Sequence, residues 1–362
     1  MTATKKLQEL LRVAHPIVQA PMVGVTTPQL AAAVSNAGAL GSIGLGASDA
    51  RQSRALIRET RALTSKSFNV NLFCHQPPTK HSDAMDDKMK QDWVAHMAPL
   101  FAELGTPPPS ILSAPFDTFL NREDTLQVLL QEKPPVVSFH FGLPPAEWIR
   151  ALRDAGIVTL ASATNCKEAD MIVDAGVDAV IAQGFEAGGH RGVFDPSADD
   201  QLGTFALVQL LSKTCPLPIL AAGGIMDGRA IAAALQLGAA GVQMGTAFIL
   251  CPESAADQAY RAALQSERAH HTRVSAAISG RPARGMVNRL FTDIGGSEAP
   301  PMPGYPIPYD AVKALVRAAR SKSNSGFDVQ WAGQGAPAAR ALPAADLVAK
   351  LVEEYRTAIQ TN

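Results

Sequence analysis

Short apolar runs alternate with helical patterns between residues 15 and 248 of the chain. The runs are apolar at successive positions rather than at every second one, which is typical of parallel strands covered on both faces. Each run is followed by a helical pattern or by a loop. The runs that we predict to be strands are HPIVQAPM, LGSIGLG, FNVNLFC, PPVVSFHFG, IVTLASAT, VDAVIAQG, LPILAAGG and AAGVQMGTAF.

This succession of β–α units predicts an α/β fold, namely a (β/α)8 TIM barrel. A Rossmann-type doubly wound sheet is the alternative, but no G-x-G-x-x-G follows the first predicted strand. After the eighth strand the pattern changes to helices and then to a Pro- and Gly-rich stretch. We therefore predict a barrel over residues 1–251, an inserted helical lid or substrate-binding segment over 252–308, and C-terminal helices over 309–362 that pack back on the barrel.

Charge and cysteine content exclude several classes of protein. The formal net charge is −1 and the basic residues are scattered, which argues against nucleic acid and against an anionic membrane surface as partners. No apolar stretch approaches the ~20 residues that span a bilayer, and the N-terminus does not resemble a secretion signal. The 4 cysteines form no C-x-x-C pair. We expect reduced thiols, no metal site, and a cytoplasmic protein that is a monomer or a homodimer.

Glycine-rich segments follow the seventh and eighth predicted strands, where barrels of this type often hold phosphate. Gly223 and Gly224 lie between the seventh strand and a helix, and Gln243, Met244, Gly245 and Thr246 end the eighth. Helix N-termini bind anions, and glycine lets a phosphate approach the backbone without an intervening Cβ. Tight turns alone would also explain either segment. Because both segments are at the expected strands, we favour phosphate binding, and the absence of G-x-x-x-x-G-K-[ST] disfavours a nucleoside triphosphate.

Polar side chains mark the ends of other predicted strands. Met22 follows the first strand, Asn69 and Asn71 share one face of the third, His140 ends the fourth and Gln183 ends the sixth. Amide groups of this kind suit the pyrimidine edge of an isoalloxazine ring, and apolar groups suit its xylene edge. A structural role stays open for both asparagines and for His140.

The loop FEAGGHRGVF follows the sixth predicted strand and is too small and polar to form a core. It carries Gly188, His190 and Arg191. We interpret His190 as a candidate for the reaction centre. Arg191 either favours anions at the site or is solvated.

Taken together, these segments resemble the nitronate monooxygenases, formerly called 2-nitropropane dioxygenases, and in particular their bacterial class I group. The resemblance spans nearly the whole chain, although Ala39 and Ala230 stand where we would expect glycine. It rests on QAPMVGVTTPQLAAAVSNAGALG, NVNLFCH, SFHFGLP, GFEAGGHRG, AAGGIMDGRAIAAALQLGAAGVQMGTAF, YPIPYDAVKAL and QWAGQG.

The resemblance implies a barrel with non-covalent FMN and assigns expected roles to residues of this sequence. His190 matches the active-site histidine of the family. Tyr305, Tyr309 and Lys313 match polar residues on the substrate side, where we also place His140. The expected flavin contacts are Met22, Asn71, Gln183, Gly188, Gly223, Gly224, Gln243, Met244, Gly245 and Thr246.

The implied reaction is the oxidation of an alkyl nitronate, such as propionate 3-nitronate, by O2. It proceeds through a flavin semiquinone to a carbonyl compound and nitrite, and it would serve detoxification. His190 fits two roles, either pairing with the nitronate anion or acting as a base toward a neutral nitroalkane. The ordinary imidazole pKa of about 6.5 permits both.

Three other hypotheses remain open. The first is an FMN-dependent NAD(P)H oxidoreductase on the same barrel, an enoyl or quinone reductase, which needs no separate nicotinamide motif. The second is a flavin-free phosphate barrel, but the strand-borne lysine or paired carboxylates common in such lyases and isomerases are missing from the strand ends. The third is a non-catalytic flavin-binding protein, which leaves His190 without a purpose.

Overall fold

The computed structural model of the protein describes residues 2–78, 82–296 and 299–360. The strands are, in chain order, β1 (Ile17–Gln19), β2 (Gly41–Gly44), β3 (Phe68–Phe73), β4 (Val136–His140), β5 (Val158–Ala163), β6 (Ala179–Gln183), β7 (Gly189–His190), β8 (Ile219–Ala222), β9 (Gly241–Met244), β10 (Thr272–Ser275) and β11 (Ala283–Met286). The α-helices are α1 (Ala3–Leu11), α2 (Pro28–Asn36), α3 (Ala50–Leu63), α4 (Asp83–Glu103), α5 (Glu123–Glu132), α6 (Ala146–Asp154), α7 (Cys166–Asp174), α8 (Thr204–Thr214), α9 (Gly228–Gln236), α10 (Gln258–Leu264), α11 (Ile307–Arg320) and α12 (Ala344–Gln360).

Eight parallel strands form the barrel, in the order β1-β9-β8-β6-β5-β4-β3-β2. Backbone hydrogen bonds join the two outer strands, since Gln19 N donates to Leu40 O and Leu40 N donates to Ile17 O, both at 2.9 Å. The predicted (β/α)8 barrel is therefore confirmed, and the seventh and eighth predicted strands are β8 and β9.

Burial on both faces explains why the barrel strands are apolar throughout. Val180 and Ile181 point to opposite sides of β6, yet both are buried. At the N-terminal end of the barrel, Leu7 and Leu11 of α1 join the buried cluster that includes Leu220 of β8. A ligand cavity is consequently left to the opposite end, where the strands terminate.

The two C-terminal helices pack in different places. α12 contacts α9 and α2 and so completes the helical ring after β9. α11 instead contacts α4 and shares an apolar cluster with it, because Val312 and Leu315 of α11 meet Trp93 and Met97 of α4. We predicted that both C-terminal helices pack on the barrel, but only α12 does so. The boundaries of the three predicted segments stay a prediction.

The inserted segment contains more strand and less helix than its sequence indicated. β10, β11 and β7 form a second, antiparallel sheet, which the sequence did not predict. Over residues 252–271, helix is confined to α10 and a short 3-10 turn. This sheet helps to position the site, because His190 of β7 pairs with Ala283 of β11.

Among the described residues, no helix is long and apolar enough to cross a membrane.

Candidate active site

A cavity of about 680 Å³ opens at the C-terminal ends of the barrel strands. Its volume lies within the range of about 300–1,000 Å³ that is usual for small-molecule sites. It brings together the residues for which the sequence predicted a flavin, substrate or catalytic contact, although the roles themselves stay predictions. These lining residues are Met22, Asn71, His140, Gln183, Gly188, His190, Gly223, Gly224, Gln243, Met244, Gly245, Thr246, Tyr305, Tyr309 and Lys313.

Asn69 and Arg191 do not line the cavity. Asn69 Nδ2 instead donates to Ser42 Oγ and Ser138 Oγ. Arg191 is fully buried in an ion pair with Asp199, rather than solvated or facing the cavity.

Part of the cavity wall was missed by sequence reasoning. The segment containing Trp331, Gly333 and Gly335 covers one side, and Gly333 N donates a 3.0 Å hydrogen bond to Thr246 Oγ1. The motif QWAGQG at residues 330–335 contributed only to the resemblance, although its two glycines are typical of a segment that lies close to another part of the chain. Asp257 and Arg320 also line the cavity and form a 2.8 Å ion pair, which no local pattern indicated.

Loop glycines rather than a helix end form the predicted phosphate position. Gly223 and Gly224 have φ values of +125° and +71°, a conformation that favours glycine. The first turn of α9 is already capped, because Asp227 Oδ1 accepts from Ala230 N at 2.8 Å. The prediction of phosphate binding therefore falls on the backbone of the loop, together with Gly245 and the following residues at the end of β9.

Gly188 lines the cavity, but a different contact explains why it is glycine. A Cβ at this position would lie 2.5 Å from Gly333 N and 2.6 Å from Ala332 C. The two chain segments approach too closely for any side chain there. The loop after β6 thus packs against the segment at 331–335, and the expected close approach to a flavin remains untested.

The amide side chains at the strand ends are oriented by the protein. Asn71 Nδ2 donates to Ser138 Oγ at 2.9 Å, which leaves Oδ1 for a ligand. Gln183 Nε2 donates to His190 O at 3.0 Å, and Gln183 Oε1 accepts from Gly192 N at 2.6 Å. Gln243 Oε1 is buried without a hydrogen-bond partner within the described chain. A buried, unsatisfied acceptor at a cavity wall indicates a ligand donor.

Hydrogen bonds assign the proton on the His140 ring. Nε2 lies 3.2 Å from His190 O, and a carbonyl oxygen can only accept, so Nε2 carries the proton. Nδ1 then accepts from Ser162 Oγ at 2.9 Å. Both ring nitrogens are engaged, and burial lowers the His140 pKa to about 4. This geometry makes His140 a positioning residue for the His190 backbone.

His190 projects from β7 into the cavity with one ring nitrogen held. Nε2 lies 2.8 Å from Ser279 Oγ, and Nδ1 has no partner within the described chain. Burial, and after it the neighbouring His140 and Arg281, lower the His190 pKa to about 3. The imidazole is therefore neutral at pH 7, so the ordinary pKa assumed from sequence is wrong for this environment.

Aromatic rings and one ammonium group complete the substrate side. The Tyr305 ring lies 5.7 Å from that of His190, and its buried hydroxyl has no partner within the described chain. Burial raises the pKa of both Tyr305 and Tyr309, so both phenols stay protonated and can donate. Lys313 Nζ lies 5.0 Å from the centre of the Tyr309 ring. This end therefore offers hydrogen-bond donors and positive charge.

We expect acid to destabilise the protein through its buried histidines. The pKa values of His75, His140 and His190 are lowered to between about 3 and about 4. The unfolded chain binds more protons below pH 6.5, so stability falls as pH drops below that value and is level above about pH 7. Each histidine contributes a slope of up to about 1.4 kcal/mol per pH unit.

Thermal unfolding midpoints between pH 4.5 and 8 test this expectation, with His75→Phe as the comparison variant. Loss of one buried imidazole should flatten the acid limb. An equally steep limb in the variant would mean that His75 does not contribute to the acid instability.

The fold and the cavity define an α/β-barrel protein with a cavity that joins a glycine loop to an aromatic, histidine-containing wall. The chain belongs to the nitronate monooxygenase family, whose sequence model matches residues 4–354. The predicted family is thereby confirmed.

Individual relatives agree with this assignment. The chain is 54% identical over 354 residues to the nitronate monooxygenase of Pseudomonas aeruginosa PAO1, covering 98% of this chain and 99% of that one. It is 55% identical over 361 residues to the nitronate monooxygenase of Paraburkholderia phytofirmans, covering 99% and 97%. Nitroalkane oxidase from Streptomyces ansochromogenes is similar in structure, with a TM-score of 0.88, 39% identity, and coverage of 98% and 99%. FabK from Thermotoga maritima has a TM-score of 0.73, 30% identity, and coverage of 98% and 97%.

Proposed function

We propose that this protein oxidises alkyl nitronates with O2 to a carbonyl compound and nitrite, using non-covalently bound FMN. The main observation in support is that one cavity has loop glycines at one end and His190 and Tyr305 at the other. One end suits a phosphate and the other suits a small anion. Propionate 3-nitronate, a carboxylate-bearing nitronate, is a suitable substrate for a wall that also carries Lys313.

The residues present fit FMN. The loop at Gly223 and Gly224 would take the phosphate, since no Cβ blocks its backbone. The unsatisfied Gln243 Oε1 would accept from the one N–H that the oxidised isoalloxazine ring carries, and Asn71 Oδ1, for which no partner is found among the described residues, is the alternative acceptor. When bound, FMN would supply the electron transfer between nitronate and oxygen, while the protein supplies binding and orientation.

On the substrate side, the protein positions an anion that is already deprotonated. Tyr305 offers its hydroxyl proton, and the neutral His190 presents Nδ1. Nδ1 donates only in the tautomer in which Nε2 accepts the Ser279 hydroxyl proton, for which Arg281 O at 3.2 Å is the alternative acceptor. A base with a pKa of about 3 accepts a proton from a carbon acid poorly at pH 7. His190 therefore acts in binding, and the enzyme prefers nitronates to neutral nitroalkanes.

An NAD(P)H oxidoreductase on the same barrel is the second candidate, because such an enzyme needs no separate nicotinamide motif in its sequence. Anaerobic mixing of the purified yellow protein with a nitronate, and separately with NADH, distinguishes the two. We expect the flavin absorbance to change rapidly with nitronate alone, and FMN rather than FAD to be released on denaturation. Fast, saturable bleaching by NADH with no response to nitronate would support the reductase.

A further inference from the structure

Arg281 is a buried cation that has no ion pair within the described chain. It is 4% exposed, and its Nη2 donates to Val193 O at 2.6 Å and to Phe194 O at 2.9 Å. Its Nε is buried without any partner. Charged groups this deeply buried are normally paired, so an unpaired guanidinium is unusual and needs an explanation.

The position of this charge relates it to the substrate side of the cavity. The guanidinium carbon lies 4.7 Å from the centre of the Phe141 ring and 5.9 Å from that of Tyr305. Those two rings lie 5.6 Å and 5.7 Å from the ring of His190. Arg281 is thus one aromatic layer behind the wall formed by His190 and Tyr305. Aromatic side chains exclude water, so a charge behind them is weakly screened.

Other charged groups nearby leave this potential positive. Arg191 is paired with Asp199 at 2.9 Å, so its charge is compensated. The carboxylates of Glu168 and Asp195 raise the Arg281 pKa, but burial dominates and lowers it to about 10, so the guanidinium stays charged at pH 7. Three neutral imidazoles, those of His75, His140 and His190, share the region, and Arg281 contributes to the low pKa of each.

We propose that Arg281, in addition to Lys313 of the cavity wall, supplies positive potential that selects an anion at the His190 end of the cavity, and that Arg281 does so without contacting the anion. In this role it is a specificity-determining residue, and the inference rests on the proposed function. It explains how a site whose histidine is neutral discriminates a nitronate from its neutral nitroalkane. At an effective dielectric constant of about 20, removal of a unit charge one ring layer away changes anion affinity by about tenfold or more.

The test compares three variants of the purified holoprotein. Arg281→Gln removes the charge and keeps a donor, and Arg281→Lys keeps the charge but reaches the two carbonyl groups less well. Arg284→Gln is the matched control, because Arg284 is equally buried and lies nearby on β11, yet its guanidinium faces Phe185 and hydrogen-bonds to Phe185 O. Isothermal titration calorimetry measures the Kd of nitrate ion, a planar anion, and of neutral 2-nitropropane.

We expect Arg281→Gln to raise the nitrate Kd by about tenfold or more and to leave the 2-nitropropane Kd within about twofold. Arg281→Lys should keep nitrate binding within about threefold of wild type, and Arg284→Gln should match wild type. In turnover of a nitronate, Arg281→Gln should raise KM more than it lowers kcat.

Equal weakening of both ligands by Arg281→Gln, or a nitrate affinity that is as poor in the Lys variant as in the Gln variant, would overturn the proposal. A wild-type protein that does not bind nitrate would also overturn the proposal. If Arg281→Gln fails to fold, the Lys variant still decides, because a purely structural role predicts that it loses nitrate binding. The calorimetric result does not require turnover, so a failure of the proposed oxidation is seen separately.

Discussion

The His190→Asn variant is expected to keep FMN and to lose activity by a similar factor on a nitronate and on the matching neutral nitroalkane. Asn replaces the imidazole that contacts the anion, so oxidation of a nitronate should fall by about tenfold, the value of one hydrogen bond to a charged group. Because a histidine with a pKa of about 3 is a poor base, any oxidation of the nitroalkane should not show the additional ~10²–10⁴-fold fall that loss of a positioned base would cause. Steady-state oxygen uptake with both forms of one nitroalkane measures the two decreases.

The rates of the wild type on a nitronate and on the matching nitroalkane also test whether His190 acts as a base. Because the His190 pKa is lowered to about 3, we expect the wild type to use the nitronate at least about 100-fold faster than the nitroalkane at pH 7. Comparable rates on both substrates would show that a competent base exists. Loss of FMN in His190→Asn would instead make the residue structural, and wild-type rates on both substrates would leave it without a role.

The Gly224→Ala variant is expected to lose FMN affinity by about 10–100-fold. The added Cβ would contact the Glu186 side chain at 3.5 Å, so we expect the loop backbone to shift, and each charge-assisted hydrogen bond to the phosphate that is lost in this way is worth about 1.5–3 kcal/mol. Since the φ of Gly224 is +71°, alanine there also strains the backbone by about 1–2 kcal/mol. Fluorescence titration of the apoprotein with FMN measures the Kd.

Gly156→Ala is the matched control for the backbone strain that alanine causes at a positive φ. Gly156 has a φ of +80° and open space around its absent Cβ, and it follows α6, before β5 begins. Both variants should lower the thermal midpoint by similar amounts, but only Gly224→Ala should weaken FMN binding. If Gly224→Ala folds and keeps wild-type FMN affinity, the glycine serves the turn alone.

Local patterns were sufficient for the barrel and for the position of its site. Continuous apolar runs predicted buried parallel strands, and such strands all end at the same edge, so Met22, Asn71 and Gly224 had to converge although they are distant in sequence. The topology therefore placed the strand-end residues at the cavity, but it gave no indication of the lining residues that lie outside the barrel strands, such as Asp257 and Trp331.

The features that depend on packing between distant segments could not be read from the sequence. β7 is a two-residue strand that forms only because β11 lies beside it. Arg281 lies in a stretch with the composition of a solvated loop, and its burial arises from Phe141 and Tyr305. The low pKa of His190 has the same origin, since burial by distant residues is its largest cause.

Oxygen uptake by the purified protein tests the central claim most directly. With a nitronate such as propionate 3-nitronate and no nicotinamide cofactor, the account predicts rapid, saturable oxygen consumption accompanied by release of nitrite. Oxygen consumption that requires NADH or NADPH, with neither uptake nor nitrite on addition of the nitronate, would contradict it.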